Sequence, residues 1–354
     1  MKLFYYLIGI FMFTGGITVN AENVTPLYEN PVWPMPTADP AVIRADDGAF
    51  YVYATQGIDA DSIMCNIQVL RSYDLINWTH LGDALPKKPK WAHSTQNFWA
   101  PHVTRHENKY YMYYSAEPDA EVKTGTDLGL CLAVAVSDNP VGPFIDSGSP
   151  LISGDGFDNI DPMVFNDPVS GKNFLYWGSG FKPLKVKELA DDMISFKDDT
   201  PGIELIKAFG PGYGFLVEGS WVIYRDGYYY LFYSGDNCCG ERAHYAVMVA
   251  RSKNPTGPFE VYCDGRDDGC PILAEGARWM ACGHNSIITD DDGRDWIMYH
   301  AIDRSDRVIH KYNKSEDKRV LMIDPIEYRD GWPRVVGDYP SETECSAPRV
   351  NRYK

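Results

Sequence analysis

Apolar and polar positions alternate in short runs along most of the chain, and the runs come in pairs. "DPAVIRADDGAFYVYAT" from Asp39 is an apolar strand, a polar turn and an aromatic strand ending in small residues. The same pattern returns as "APHVTRHENKYYMYYSA" from Ala100 and "DPMVFNDPVSGKNFLYWGS" from Asp161. It returns twice more, as "EGSWVIYRDGYYYLFYSG" from Glu218 and "HNSIITDDDGRDWIMYHA" from His284. Period-2 alternation bounded by Gly, Asp and Asn predicts β-hairpins. Successive starts differ by 61, 61, 57 and 66 positions, so the hairpins are one repeat.

A second half of the unit recurs in part. "RSYDLINW" at Arg71, "VSDNPVGPF" at Val136 and "RSKNPTGPF" at Arg251 follow further strand-like runs, and "VKELADDMISF" takes that place in the third unit. The Pro-x-Gly-Pro pieces are strong turn chemistry. About four strands in about 60 residues is the content of a propeller blade. The prediction is an all-β, five-bladed propeller in one domain, its units running from Asp39 to about Pro333. A β-sandwich with coincidental hairpins would not produce a shared register at near-constant spacing.

The chain has 354 residues, 44% hydrophobic and 23% charged, enough for a sizeable core. Its 24 Tyr, 15 Phe and 9 Trp suit strands. A net charge of −16 repels phosphate backbones and argues against nucleic acid as a partner. The N-terminus reads as a secretory signal over residues 1–21: Lys2, an apolar core from Leu3 to Phe13, and a small-residue cleavage site at Val19-Asn20-Ala21. A mature chain from near Glu22 is therefore expected in a periplasm or outside the cell, with no membrane span and as a monomer. The alternative is an uncleaved membrane anchor.

Eight cysteines permit disulfides in that setting. Cys263 and Cys270 flank "CDGRDDGC" and suit a loop-closing bridge, while Cys238 and Cys239 are adjacent. There is no CxxC and so little support for a zinc ribbon.

In a propeller the innermost strands all run the same way beside the axis, so their heads meet at one rim of the central channel. The heads are Asp39, Ala100, Asp161, Glu218 and His284. An Asp before Pro commonly just opens a turn, and the Asp-Gly pairs at Asp47, Asp226 and Asp292 are ordinary hairpin chemistry. Three acids converging on one channel mouth are different, because their mutual repulsion has no structural purpose. Asp161 and Glu218 head adjacent blades, so the pair should retain a proton near neutrality. The longer Glu218 suits a general acid, Asp161 would raise its pKa and orient it, and Asp39, two blades away, suits a general base. Inverting glycosidases separate acid and base by roughly 6.5–9.5 Å and retaining ones by about 5–5.5 Å. Non-adjacent blades therefore predict inversion.

His284 is either a hydrogen-bonded channel residue or a ligand to a cation held mostly by water, calcium or sodium, with no organic cofactor expected. The "DDDG" at Asp290 falls in a hairpin turn and lacks the other ligands of a calcium loop. Phe98 and Trp99, just before the second head, are candidates for stacking on a sugar, or for packing between blades.

With these residues assembled, the chain resembles glycoside hydrolase family 43, whose members are inverting five-bladed propellers that act on arabinose- and xylose-containing plant polysaccharides. "ADPAVI", "FWAPHV", "IDPMVF", "VEGSWVIYRDGYYYLFYSG" and "GHNSIITDDDGRDWIMYHA" carry the likeness across nearly the whole mature chain. The resemblance implies that Asp39 is the base, Asp161 the pKa-modulating residue, Glu218 the acid, and His284 the axial histidine that in many members touches a hydrated ion. Ala38 stands where many members have His, and Gly219-Ser220 where many have Gly-Pro. The "GHNSIITDDDGRDWIMYHAID" and "RVLMIDPIEYRDGWPRV" segments look more like arabinan- and arabinoside-cleaving members, so α-L-arabinofuranosidic bonds in an oligo- or polysaccharide are the expected target. A β-xylosidase or other pentosidase, a noncatalytic sugar-binding propeller and an exported interaction scaffold are the alternatives.

Overall fold

A computed structural model describes residues 26–351 apart from 59–62, 121–128, 155, 179–180, 211 and 312–313. The signal sequence expected over 1–21 lies outside the described residues. Five antiparallel sheets are arranged as blades. Blade one is Ala41–Arg44, Phe50–Ala54, Gln68–Ser72 and Trp78–Asp83. Blade two is Phe98–His106, Lys109–Ala116, Cys131–Ser137 and Ile145–Asp146. Blade three is Met163–Asn166, Asn173–Trp177, Lys185–Glu188 and Ile203–Glu204. Blade four is Val217–Arg225, Tyr228–Asn237, His244–Ser252 and Glu260–Val261. The first strands touch one another in a closed cycle, blade five returning to blade one, and so surround the axis.

Blade five closes the ring with both ends of the chain. Trp279–Thr289, Asp295–Asp303 and Arg319–Arg329 are followed in space by Trp33–Pro36, which precedes blade one in sequence. Pro34 and Pro36 lack N–H donors, which an edge strand tolerates. Asn30 fastens this segment: its Nδ2 donates to Ile323 O at 2.9 Å and its Oδ1 accepts from Ile323 N at 3.0 Å. The five repeats read from the sequence omit this strand, because it carries no copy of their pattern.

Turn chemistry fixes the hairpins. In blade four Arg225 pairs with Tyr228, leaving a two-residue loop, Asp226 at φ 49° and Gly227 at φ 77°. Two positive φ values are the type I′ turn, whose twist matches that of the strands. The "DDDG" turn is held by Asp290, whose Oδ1 accepts from Asp292 N and Arg294 N and whose Oδ2 accepts from Trp296 Nε1. Its carboxylate is spent on the hairpin and on the backbone N–H of Arg349. The aromatic second strands supply core, with Tyr51, Tyr53, Tyr113, Tyr114, Tyr176, Tyr230, Tyr233 and Tyr299 essentially fully buried.

Candidate active site

Each blade begins with one residue in the left-handed region: Asp39 (φ 56°), Ala100 (46°), Asp161 (57°), Gly219 (62°) and His284 (49°). For a residue with a Cβ this conformation costs roughly 1–2 kcal/mol, so four such residues at equivalent places mark a position imposed by the ring. In blades two, four and five the strand pairing slips across this residue. Bulges of this kind re-aim a side chain.

The register corrects the sequence alignment by one position. Trp99 pairs with Ser115, Glu218 with Ser234 and Gly283 with His300. Glu218 is therefore the counterpart of Trp99 and Gly283, and Gly219 is the head of blade four. The aligned "DP", "AP" and "EG" dipeptides concealed this, because an acid in first place looked like a shared feature.

A ring of hydrogen bonds ties each head to the preceding blade. Ala100 N donates to Thr55 Oγ1 at 2.8 Å, Asp161 N to Ser115 Oγ at 3.1 Å, His284 N to Ser234 Oγ at 2.8 Å and Asp39 N to His300 Nδ1 at 3.1 Å. Thr55, Ser115, Ser234 and His300 occupy the same place at the end of each second strand. Blade three has Gly178 there, with no side chain to offer. Gly219 N donates instead to Asp161 Oδ2 at 3.1 Å, so the missing side chain is replaced by a head carboxylate.

Asp39, Asp161 and His284 meet in one pit. His284 Nδ1 lies 3.4 Å from Asp39 Oδ1 and 3.8 Å from Asp161 Oδ2. Asp39 Oδ1 also receives Arg319 Nη1 at 3.0 Å, and its Oδ2 accepts from Thr55 Oγ1. Burial by itself would raise the Asp39 pKa. The Arg319 guanidinium, then His284, His300 and the Thr55 hydroxyl, reverse that and hold the carboxyl well below the usual carboxylate range. Asp161 moves the other way: burial, then the charges of Glu218 and Asp39, push it well above that range despite the Gly219 N–H and Arg319. Two carboxyls of one type are thus driven apart, the pattern that separates base from acid. Glu218 Oε1 accepts from Tyr245 OH at 2.7 Å, and the Tyr245 ring stacks on His300 at 5.7 Å between centroids.

Arg319, Thr55, His300 and Tyr245 were not singled out from the sequence. Thr55 and His300 belong to the repeat, in the small-residue column that closes each second strand. Arg319 and Tyr245 lie in third strands, where the repeat is weak, and carried no signal.

Phe98 does not belong to the site. It is fully buried and packs 6.1 Å from Tyr114. Neighbouring strand residues point to opposite faces, so only one of the Phe98-Trp99 pair can reach the rim. Trp99 is half-buried and lies stacked on the exposed Phe157, centroids 6.2 Å apart and planes 11° apart.

His284 is kept below its ordinary pKa by burial, with Asp39 pulling upward and Arg319 downward. Beyond the heads, Asn285 and Ser220 have buried side-chain oxygens and His102 a buried Nδ1, none with a partner among the described residues. Among the described residues no group of three or more His, Cys, Asp or Glu is placed to hold a metal. A neutral imidazole and orphaned oxygens fit an ion held through water and do not fit a protein cage. A cavity of about 490 Å³ opens elsewhere, lined by Arg44, His102, Arg105 and Tyr224 among others, with no carboxylate among the described residues that line it.

Acids gathered at one end of a five-bladed axis, with their proton affinities driven apart, define a propeller glycosidase. The profile of Glycosyl hydrolases family 43 matches residues 28–333, and the chain belongs to that family. It is 31% identical to a β-D-galactofuranosidase of Aspergillus niger, over 85% of this chain and 82% of that one. It is 28% identical to an extracellular exo-α-(1→5)-L-arabinofuranosidase of Cellvibrio japonicus, covering 84% and 85%, and 28% identical to an extracellular endo-α-(1→5)-L-arabinanase of Bacillus subtilis, covering 83% and 86%. A crystal structure of a thermostable family-43 glycoside hydrolase superposes with a TM-score of 0.72 at 28% identity, over 92% of this chain and all of that one.

Proposed function

We propose that the protein is an exported, inverting glycoside hydrolase that cleaves α-L-arabinofuranosidic bonds in arabinan, arabinoxylan or arabinogalactan side chains. In this reading Asp39, kept ionised by Arg319, takes a proton from water as that water attacks the anomeric carbon. Glu218 gives a proton to the departing glycosidic oxygen. Asp161 and Glu218, too close to ionise together in a buried pit, retain one proton between them, and Tyr245 orients the donor. A calcium or sodium ion beside His284, held through water with Asn285 and Ser220 near it, would add positive charge behind the pit. Trp99 stacks on a sugar face at the rim.

The supporting observation is the opposite displacement of Asp39 and Asp161 within reach of one imidazole. The test is hydrolysis of nitrophenyl α-L-arabinofuranoside followed by proton NMR of the first-formed anomer. Net retention removes Asp39 as base. Linear arabinan with product sizing separates internal from terminal cutting, and nitrophenyl xyloside tests the pentosidase alternative.

The likeness to a β-D-galactofuranosidase favours a second reading. A β-D-galactofuranosyl ring has the same ring configuration as an α-L-arabinofuranosyl ring and one more exocyclic carbon. A hydrophobic pocket discriminates such an increment by only about 1–3 kcal/mol. A higher kcat/KM on nitrophenyl β-D-galactofuranoside than on the arabinofuranoside would decide for it. Relatives named as extracellular support export.

A further inference from the structure

The second strand of blade four, Tyr228–Asn237, runs directly into Cys238 and Cys239. The two sulfurs are in contact, Sγ to Sγ 2.7 Å, with Cys239 exposed and Cys238 half-buried. Cys238 packs on a cluster of Ala243, Tyr245, Met280, Ala281 and Ile302. Tyr245 donates a hydrogen bond to Glu218, so Cys238 packs on a cluster that contains a partner of the proposed acid. The loop of the two cysteines is pinned from both sides. Gly240 N donates to Asp317 Oδ2 at 2.6 Å, Arg307 Nε pairs with Asp317 Oδ1 at 2.7 Å, and Asp236 Oδ2 meets His244 Nδ1 at 2.7 Å.

We propose that Cys238 and Cys239 are a redox modification site that closes to a vicinal disulfide in an oxidising compartment, and that closure raises activity at the neighbouring pit. The consequence for activity rests on the glycosidase reading; the bond itself does not.

The chemistry is thiol–disulfide exchange with a small-molecule disulfide such as oxidised glutathione. The Cys239 thiolate attacks one sulfur of the donor and expels one thiol. The Cys238 thiolate then attacks Cys239 Sγ and expels the second. Two protons and two electrons leave the protein, and the donor departs as two thiols. Thiolate is the reactive form, and attack is fastest when the thiol pKa is near ambient pH. The hydrogen bond from Cys238 pulls Cys239 down to about 7; burial opposes this, Arg319 assists, and Asp39 and Asp317 oppose.

Consecutive Cα atoms are about 3.8 Å apart across a trans peptide, closer than the usual disulfide range of about 4.4–6.8 Å. A bond between neighbours is therefore strained, and strained disulfides are the easily reduced, switchable ones. In the reduced protein the charge of a Cys239 thiolate is felt by Arg319, which hydrogen-bonds to Asp39. In the closed ring both sulfurs are neutral, and Arg319 is left to Asp39.

The tryptic peptide Asp226–Arg242 contains these two cysteines and no others. After incubation of the purified mature protein with oxidised glutathione, the peptide is expected two hydrogens lighter and closed to iodoacetamide, with two alkyl groups taken up after dithiothreitol. Alkylation without reduction, or a glutathione adduct as the end state, overturns the bond. A several-fold rise in kcat/KM on oxidation that is absent in Cys239→Ser supports the consequence. Equal rates in both redox states overturn it. Absence of turnover in both states overturns it together with the glycosidase reading, while the peptide mass still decides the bond.

Discussion

The backbone N–H of Gly219 donates to Asp161 Oδ2 at 3.1 Å, so the residue beside the proposed acid holds the carboxyl proposed to control the acid's proton. The contact exists because blade three ends its second strand in Gly178, where the other blades offer Thr55, Ser115, Ser234 or His300. Asp161→Asn preserves the shape and removes a negative charge from beside Glu218. The expected result is a fall in kcat of about 10²–10⁴-fold, the range for proton transfer by a positioned side chain. The alkaline limb of the pH–rate profile should also move down. An unshifted limb would contradict the shared proton.

Tyr245→Phe tests the hydrogen bond that Tyr245 gives to Glu218. Hydrogen bonds to charged groups contribute about 1.5–3 kcal/mol, and this one favours the ionised carboxylate. Its loss should raise the alkaline limb by about one pH unit and lower kcat more than it changes KM. A change confined to KM would make Tyr245 a substrate contact.

Arg319→Gln removes the guanidinium that outweighs burial at Asp39. The sign follows from the depressed pKa. Wild-type Asp39 contributes stability that is present above its unfolded value, about 3.9, and is lost as pH falls through its lower folded value. In the variant the carboxyl titrates higher, so the acid limb of kcat/KM should move up. Near neutrality the buried, unpaired charge should cost about 3–5 kcal/mol, seen as a lower Tm. An unmoved acid limb would mean that another group is the base.

Asp324 supplies a readout of stability away from the pit. Burial pushes it up to about 6, although Tyr299, Ser341 and Asn30 hydrogen-bond to it. A raised carboxyl favours the fold while it is protonated. Its contribution is full below about 3.9 and is lost as pH rises through about 6. Asp324→Asn should flatten the decline over that interval by about 3 kcal/mol in urea denaturation. Asp161 has the same sign, so part of the slope should remain. An unchanged slope would place the titration elsewhere.

Trp99→Ala should raise KM for arabino-oligosaccharides while leaving nitrophenyl arabinofuranoside nearly unaffected, if Trp99 and Phe157 form a platform for sugars beyond the cleaved bond. Stacking of this kind contributes about 0.5–1.5 kcal/mol, a KM increase of roughly two- to tenfold. Equal losses on both substrates would place the ring at the reacting sugar.

Much of this was legible in the chain, because propeller blades are local. A hairpin with its own turn and alternation folds next to itself, and repetition at near-constant spacing reveals the whole ring. Asp39, Asp161 and His284 stood at repeat heads, where strand direction alone brings them to one rim. Of the Phe98-Trp99 pair, alternation along the strand turns Phe98 into the core, and the repeat pattern alone does not say which of the two faces inward.

Local pattern in the chain specifies the five hairpins, their turns and which acids lead them, since each depends on neighbours a few positions away. It took the folded ring to put Gly219 and not Glu218 in the left-handed position, to complete the last blade with Trp33–Pro36, and to set Arg319 on Asp39 across 280 residues. Those relations arise when the ring closes and burial changes the cost of charge, and no local pattern encodes a contact that exists only after the ends meet.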